Sequence, residues 1–284
     1  MITTDFTGNF GNHIFQYVTL RSVAEKKDFD WGCTNYIYGD YLGGKSQMDF
    51  LDLDYGKPVE GIEREYRENI VNLGHTNVHQ YHDFNDLEDN SKLVGCWQTE
   101  QYFDKEKVRQ WVQIKNEASY KNMDLNDCII NVRGGEYKGI SDVVLPKSYW
   151  DNAIAHMRSI NPDMQFTVIT DDVPYAQHLF PDFALKCIHI GINTDYYMIY
   201  QAKYLILSNS SFAWFPAWLN QKSKLTIAPK YWARYNGSDG YWASSNIFTK
   251  GWFYLDREGN LETYEDVIEE LKNSKYADLY NFGG

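Results

Sequence analysis

The sequence predicts an α/β protein built on mostly parallel sheets and divided into two domains. Three observations predict it. After residue 90, short apolar runs alternate with longer amphipathic stretches, the pattern of repeated strand–helix units joined by right-handed crossovers. The stretch Lys121–Asp127 is polar, lacks an apolar face and interrupts that pattern. The chain has 284 residues, 43% of them hydrophobic and 23% charged, which suffices for one large core or two modest ones. The expected domains are residues 1–123 and 124–284.

The elements follow in order. Met1–Phe6 is a short apolar run, and Thr7–Asn12 a Gly/Asn loop. Ile14, Tyr17, Val18 and Arg21 fall at helical spacing and predict a helix over His13–Lys26. Residues 30–90 are rich in Gly, Asp and Tyr without a strong period, so loops and short strands are expected there. Leu93–Trp97 reads as a strand, and Asp104 as the N-cap of a helix reaching Ala118. In the second half Cys128–Val132 is a buried strand, followed by a Gly-rich turn and a helix over Lys147–Arg158. Gln165–Ile169 is a strand, and Asp171–Pro174 opens a helix with proline just inside its start. Leu185–Ile188 and Tyr204–Leu207 are further strands. Ser210 begins a helix through Leu219, Leu225–Ala228 is another strand, and Tyr264–Lys272 is an amphipathic terminal helix.

Composition narrows the partners. A formal net charge of -12 disfavours nucleic acid and anionic membrane surfaces, though a small anion needs only a local patch of donors. Aromatics are 17% of the chain, which fits either a bulky core or carbohydrate stacking, and composition alone leaves both open. The four cysteines form no CxxC pair, so a reducing compartment is the simplest inference. The amino terminus has no basic region followed by an apolar one, and no stretch reaches the ~18 apolar residues of a membrane span.

Three segments end predicted strands, where open parallel sheets bind ligands. In Asn131–Tyr137 a buried strand delivers Arg133 into a Gly134-Gly135 turn followed by Glu136. Arginine forks onto phosphate oxygens, but an Arg133–Glu136 surface pair would use the same residues. In Leu207–Trp214 a strand ends in Ser208-Asn209-Ser210-Ser211, which opens a helix. That is an anion site or simply a well-capped helix. Ile169–Asp172 ends in two carboxylates, suited to the donor edge of guanine or to capping the next helix. The loop Thr7–Asn12 carries Gly8 and Gly11, which allow close backbone approach, but neither the GxGxxG nor the Walker pattern. His75, His79 and His82 would share a helix face and could bind a metal, but their polar, weakly periodic surroundings favour a solvated loop.

The segment Gly8–Tyr17, with Arg21, resembles the opening motif of glycosyltransferase family 11, the alpha-1,2-fucosyltransferases. Gly95–Phe103 resembles that family's Gly-aromatic-Gln-Ser block, and Asn131–Tyr137 its His-x-Arg-Arg-Gly-Asp-Tyr block. Leu145-Pro146 with Tyr149-Trp150 and Ala153-Ile154 is similar to the helix that follows. Phe166–Asp172, Ser208–Asn220 and Ile227–Lys230 with Trp232 complete the series in family order.

The resemblance implies a GT-B-like fold: two Rossmann-type domains whose mostly parallel sheets face a cleft. Residues 1–123 would be the acceptor-side domain, and 124–284 the GDP-sugar-binding domain with a terminal helix. It implies transfer of L-fucose from GDP-beta-L-fucose to a glycan hydroxyl, alpha-1,2 to galactose, with inversion and with no metal or other cofactor. Arg133 would hold the diphosphate, and Ser210, Ser211 and Phe212 would supply further donors. Asp171 would meet the guanine. Asn12, flanked by Gly11 and His13, would approach the donor from the first domain. With no signal or anchor, such an enzyme would be cytoplasmic and of bacterial or viral type.

Departures from the family pattern matter. Asn131 replaces its histidine, Gly134 its second arginine, Glu136 its aspartate, and His13 a glutamine beside the donor cleft. They leave room for another GDP-deoxysugar, or for a degenerate, non-catalytic fold that binds a glycan or nucleotide. Glu136 is the candidate general base, its alternative being to orient Arg133. Asp28-Phe29-Asp30 and Asp52-Leu53-Asp54 match the DxD signature of metal-dependent transferases, but neither clearly ends a buried strand.

Overall fold

The computed structural model describes residues 1–34, 47–72, 77–120, 128–233, 235 and 247–280. The expected boundary at Lys121–Asp127 and His75 of the histidine triplet lie outside these residues. The chain divides into two compact units: Met1–Glu117 with Ser244–Ile247 and Asp278–Gly284, and Ala118–Ala243 with Phe248–Ala277.

The first unit opens with β1 (Ile2–Thr4), α1 (Phe10–Lys27), β2 (Trp31–Cys33) and β3 (Leu51–Asp52). Then come β4 (Arg64–Arg67), β5 (Asn69–Asn72), β6 (Asn77–Gln80), β7 (Ser91–Val94), α2 (Lys105–Trp111) and β8 (Gln113–Ile114). Its main sheet is parallel, in the order β2-β1-β7-β4. Helix α1 begins earlier than its apolar period suggests. Asn9 stays extended while its carbonyl accepts the N–H groups of Asn12 and His13, so the Gly/Asn loop feeds directly into the first turn. The helix ends at Asp28, in the left-handed region, behind Lys26 and Lys27. Cations there are favoured by the helix dipole.

Both DxD stretches have local duties. Asp28 terminates α1, Asp30 pairs with Lys57 at 2.6 Å, and Asp54 accepts the Gly56 N–H at 2.9 Å. Asp104 caps α2 as expected, through the Lys107 N–H at 2.9 Å. The helix stops at Trp111 rather than Ala118, because Val112 is buried in a non-helical conformation and the next residues pair as β8 with β3. The strand expected to reach Trp97 ends at Val94, since Trp97 adopts φ 56 and cannot continue a ladder.

The second unit carries β9 (Cys128–Val132), α3 (Lys147–Ile160), β10 (Phe166–Thr170), α4 (Val173–Leu179), β11 (Cys187–Ile188) and α5 (Ile192–Gln201). It continues with β12 (Tyr204–Ile206), α6 (Ser211–Leu219), β13 (Leu225–Pro229), β14 (Phe253–Leu255), β15 (Leu261–Thr263) and α7 (Tyr264–Lys272). Its sheet runs β11-β10-β9-β12-β13-β14-β15, parallel except for β15. Sequence order reverses between β9 and β12, which makes a topological switch point there. β9 is buried at all five positions, as a central parallel strand covered on both faces must be. Ile130 and Val132 pack with Phe166, Val168 and the stripe Tyr149, Trp150, Ala153, Ile154 and Met157 of α3. That stripe repeats at helical spacing and buries one face of α3.

Lys230 ties the end of this sheet together. It is 3% exposed, and its Nζ lies 2.6 Å from both Glu262 on β15 and Glu270 on α7. Burial disfavours its charge, but the two carboxylates outweigh burial and raise its pKa. Lys230→Ala is expected to cost about 3 kcal/mol, because it leaves two carboxylates without their cation. Glu270→Gln, at a half-exposed partner, should cost under about 1 kcal/mol. Urea denaturation monitored by circular dichroism distinguishes the two.

Candidate functional site

The residues that follow the parallel strands of the second unit carry the candidate chemistry. Val132 pairs with Thr170 and Ile130 with Ile206, so Arg133, Asp171 and Leu207 leave the sheet on one side. Asn131 alternates away from Ile130 and Val132. It is buried, and its Oδ1 accepts the Ser208 hydroxyl at 2.7 Å. Asn131 thus ties β9 to the end of β12 across the switch point. The chain beyond β12 is held further by Tyr149, whose hydroxyl donates to the Leu207 carbonyl at 2.6 Å. Asn209 donates to the carbonyls of Val143 at 2.8 Å and Trp232 at 2.6 Å.

Arg133 stands in the middle of this edge, with its side chain 22% exposed. One guanidinium nitrogen pairs with Asp171 and the other with Glu136, the latter at 2.9 Å. The guanidinium carbon lies 5.1 Å from the centre of the Tyr137 ring, within cation–π range. Asp171 also accepts the Gly134 N–H at 2.7 Å, so both of its oxygens serve the arginine turn. Lys138 pairs with Asp172, and that contact, with the Tyr175 N–H, holds the Asp172 carboxyl below its ordinary pKa. Lys138 is therefore engaged one residue beyond Asp171.

The turn explains why glycine stands where the family pattern has its second arginine. A Cβ on Gly134 would lie 2.6 Å from the Asp172 Cβ and 3.0 Å from the Tyr175 ring. Gly135 has φ +41, and a Cβ there would meet Asp171 at 2.6 Å. Side chains are excluded at 134 by Asp172 and Tyr175, and at 135 by Asp171, the carboxylate that also holds Arg133.

Helix α6 starts on the same edge. Ser210 is its N-cap but makes no side-chain capping bond, while its carbonyl accepts from Ala213 and Trp214. Ser210 is buried, and Ser211 and Phe212 are half-buried. The start of a helix carries partial positive charge and first-turn N–H groups suited to an anion. Behind that first turn α6 is buried throughout, with Trp214 and Trp218 stacked one turn apart at 5.5 Å.

One member of this edge is absent from the sequence reading. Asp195, in the first turn of α5, is 2% exposed and accepts from His189 at 2.6 Å and from the Ile190 N–H at 3.2 Å. Burial raises its pKa, against the pull of the Ile190 N–H and His189. Ile169 pairs with Ile188, so His189 leaves β11 beside Thr170 and next to the Asp171 turn. The available signal was a single carboxylate, Asp195, immediately before the apolar and aromatic stretch Tyr196–Tyr200.

The remaining predicted site residues belong to the first unit. Gly11 and His13 are buried, and His13 Nε2 lies 3.0 Å from the Gly8 carbonyl, bracing the loop. Asn12 accepts from the Gln98 amide at 2.7 Å. His79 is on strand β6, beside Glu68, whereas His82 packs against Trp97 with ring centroids 5.7 Å apart. These two histidines do not share a helix face.

Residues 91–256 match the model of glycosyl transferase family 11, and the chain belongs to that family. A chain from Escherichia coli named alpha-1,2-colitosyltransferase is 28% identical over 163 residues, 50% of this chain and 56% of that one. A second E. coli chain, the O-antigen biosynthesis glycosyltransferase WbnK, is 28% identical over 114 residues, 37% of this chain and 36% of that one. The chain thus spans about half of one relative and about a third of the other. Among solved structures, POFUT1 in complex with GDP-fucose aligns with a TM-score of 0.50 at 9% identity, over 80% of this chain and 97% of that one. That likeness is one of fold. Among the described residues, no helix is long and apolar enough to cross a membrane.

Gly134→Ala is expected to destabilise the second unit by about 1–3 kcal/mol, since Asp172 or the Arg133 turn must move. Thermal unfolding measures the cost. A substitution at Gly139, where an added Cβ meets nothing within 4 Å, serves as the neutral control.

Proposed function

We propose that the protein is an inverting, metal-independent fucosyltransferase that moves L-fucose from GDP-beta-L-fucose to a glycan hydroxyl, in alpha-1,2 linkage to galactose. The proposal includes a GT-B-like fold in which residues 124–284 hold the donor and residues 1–123 serve the acceptor. The observation that carries this reading is Arg133, set beside the start of α6 at the switch point of a parallel sheet. Membership of glycosyl transferase family 11 supports it.

On this reading the acceptor oxygen attacks C1 of the fucose from the face opposite the diphosphate. The new C1–O bond forms as the bond to the β-phosphate oxygen breaks, through an oxocarbenium-like state. The bonding electrons pass to GDP, and the acceptor proton leaves late, to water. Negative charge grows on the diphosphate, and Arg133 with the α6 start stabilises that charge more in the transition state than in the bound donor. The donor diphosphate takes the exposed edge of the guanidinium, whose two ends Asp171 and Glu136 hold. Asp171 stays behind the arginine and orients it. The guanine then lies toward the ends of β10 and β11, where Asp171 and the Asp195–His189 pair stand. Glu136 orients Arg133 rather than serving as base, because its carboxylate is already spent on the guanidinium.

A relative named for colitose rather than fucose favours a second donor as the alternative, with the same mechanism at C1.

The test is GDP release from a panel of GDP-sugars in the presence of a chelator, with and without a mixture of glycan acceptors. Acceptor-stimulated release from GDP-fucose is expected. Release only from another GDP-sugar would keep the mechanism and change the substrate, and no GDP-sugar turnover together with no GDP binding would sink the proposal. Arg133→Ala should lower turnover by about 10²–10³, the loss seen when one charge-stabilising donor is removed. Glu136→Gln should keep the shape of the pH–rate profile, and a lost acidic limb would instead make Glu136 the base.

A further inference from the structure

The first unit contains a buried carboxylate whose partners run to Asn12. Glu68 follows β4 with its side chain 1% exposed, an expensive place for a charge unless its oxygens are fully used. They are used by one turn and one histidine. Oε2 accepts the Cys96 N–H at 2.7 Å and meets His79 Nδ1 at 2.8 Å, and Oε1 accepts the Trp97 N–H at 3.2 Å. Two consecutive backbone N–H groups are thus gathered on one carboxylate. This bends the chain after β7 and sustains Trp97 at φ 56, a conformation that costs a bulky residue ~1–2 kcal/mol. The approach is close enough to require glycine at 95, where a Cβ would lie 2.5 Å from Glu68 and 2.9 Å from the Trp97 ring.

The turn in turn aims two glutamine contacts at the amino-terminal loop. The Gly95 carbonyl accepts the Gln16 amide at 2.9 Å, and Gln16 binds Thr7 through both its amide and its carbonyl. Gln98 donates to Asn12 Oδ1 at 2.7 Å. In this arrangement the Asn12 Nδ2 lies over Gly8, where a Cβ would stand 2.3 Å away. Gly8 has φ +78, so the position is doubly reserved for glycine.

We propose that Glu68 is a positioning residue for Asn12, acting through the Gly95–Gln98 turn. The proposal rests on the functional reading above together with the family resemblance, which gives Asn12 a role toward the donor. Glu68, His79 and Cys96 also place three possible ligand atoms within 4.8 Å of one another, a set zinc accepts. The carboxylate oxygens, however, already receive two backbone N–H groups and the imidazole. Burial and Glu68 together push the Cys96 thiol up to about 11, which keeps it protonated at neutral pH. A hydrogen-bonded staple accounts for the cluster.

The test compares Glu68→Gln, Gln98→Ala, Asn12→Ala and the Glu68→Gln/Asn12→Ala double variant. It measures acceptor-stimulated GDP release and calorimetric GDP affinity. Glu68→Gln and Gln98→Ala should each lower kcat at least about tenfold while GDP affinity stays within about twofold, and the double variant should be no slower than Asn12→Ala alone, as coupled residues behave. Gln98→Ala carries the test if Glu68→Gln does not fold, because it leaves the staple whole. The idea is overturned if Asn12→Ala is slow while Glu68→Gln and Gln98→Ala are normal. It is overturned too if the two losses multiply in the double variant, or if purified protein holds one zinc that Cys96→Ser removes. If Asn12→Ala is as fast as the unaltered chain, the assignment of Asn12 to the donor falls, and this proposal falls with it.

Discussion

The reversal of strand order between β9 and β12 is the constraint on which the second unit's chemistry depends. Two adjacent parallel strands from which the chain continues toward opposite edges of the sheet leave a crevice beyond their carboxyl ends, because their crossover helices lie on opposite faces. This chain closes the base of that crevice with one buried hydrogen bond, from Ser208 to Asn131. A central strand buried on both faces has no water to satisfy a polar side chain, so Asn131 and Ser208 must satisfy each other. Everything above the bond follows from it. Arg133 is two residues beyond Asn131, and Ser210 is two beyond Ser208.

The arginine turn trades side-chain freedom for orientation. Asp171 holds both the guanidinium of Arg133 and the N–H of Gly134, so the backbone and the cation share one carboxylate. Asp172 with Tyr175 excludes a side chain at 134, and Asp171 excludes one at 135. Losing the second arginine of the family pattern is thus not a simple deletion of charge. It accompanies a turn with no room for a side chain at 134, beside which Lys138 pairs with Asp172. The Glu68 turn of the first unit obeys the same rule. A carboxylate collecting consecutive backbone N–H groups makes a sharp bend, and the bend demands glycine at its closest approach.

Legibility in the sequence followed periodicity and capping chemistry. The strands at Cys128, Gln165 and Tyr204, the helix after Pro146 and the terminal helix were readable because each has an uninterrupted apolar pattern and a recognisable start. Thr263 and Asp266 form a reciprocal capping box at the head of α7. Helix α5 was not readable, since Thr194–Ile199 is buried on nearly every side and shows no polar face. Strands β14 and β15 are three residues each, too short for a period of two to register. The overlong helix from Asp104 failed because pairing of β8 with β3 is a contact between distant residues that no local pattern encodes.

The candidate site divides the same way. By itself the sequence determined the chemical inventory: an arginine delivered by a buried strand into paired glycines, a small-residue helix start, and carboxylates at a strand end. Those follow from residue type and order, which local propensities read directly. Only the tertiary structure decided the partnerships. It put Asp171 on Arg133, turned Asn131 into a strand-to-strand tie, and brought the unsuspected Asp195–His189 pair to the neighbouring strand end. The physical reason is that hydrogen bonds and ion pairs join residues tens of positions apart, and their geometry is set by sheet register and packing rather than by neighbours in the chain.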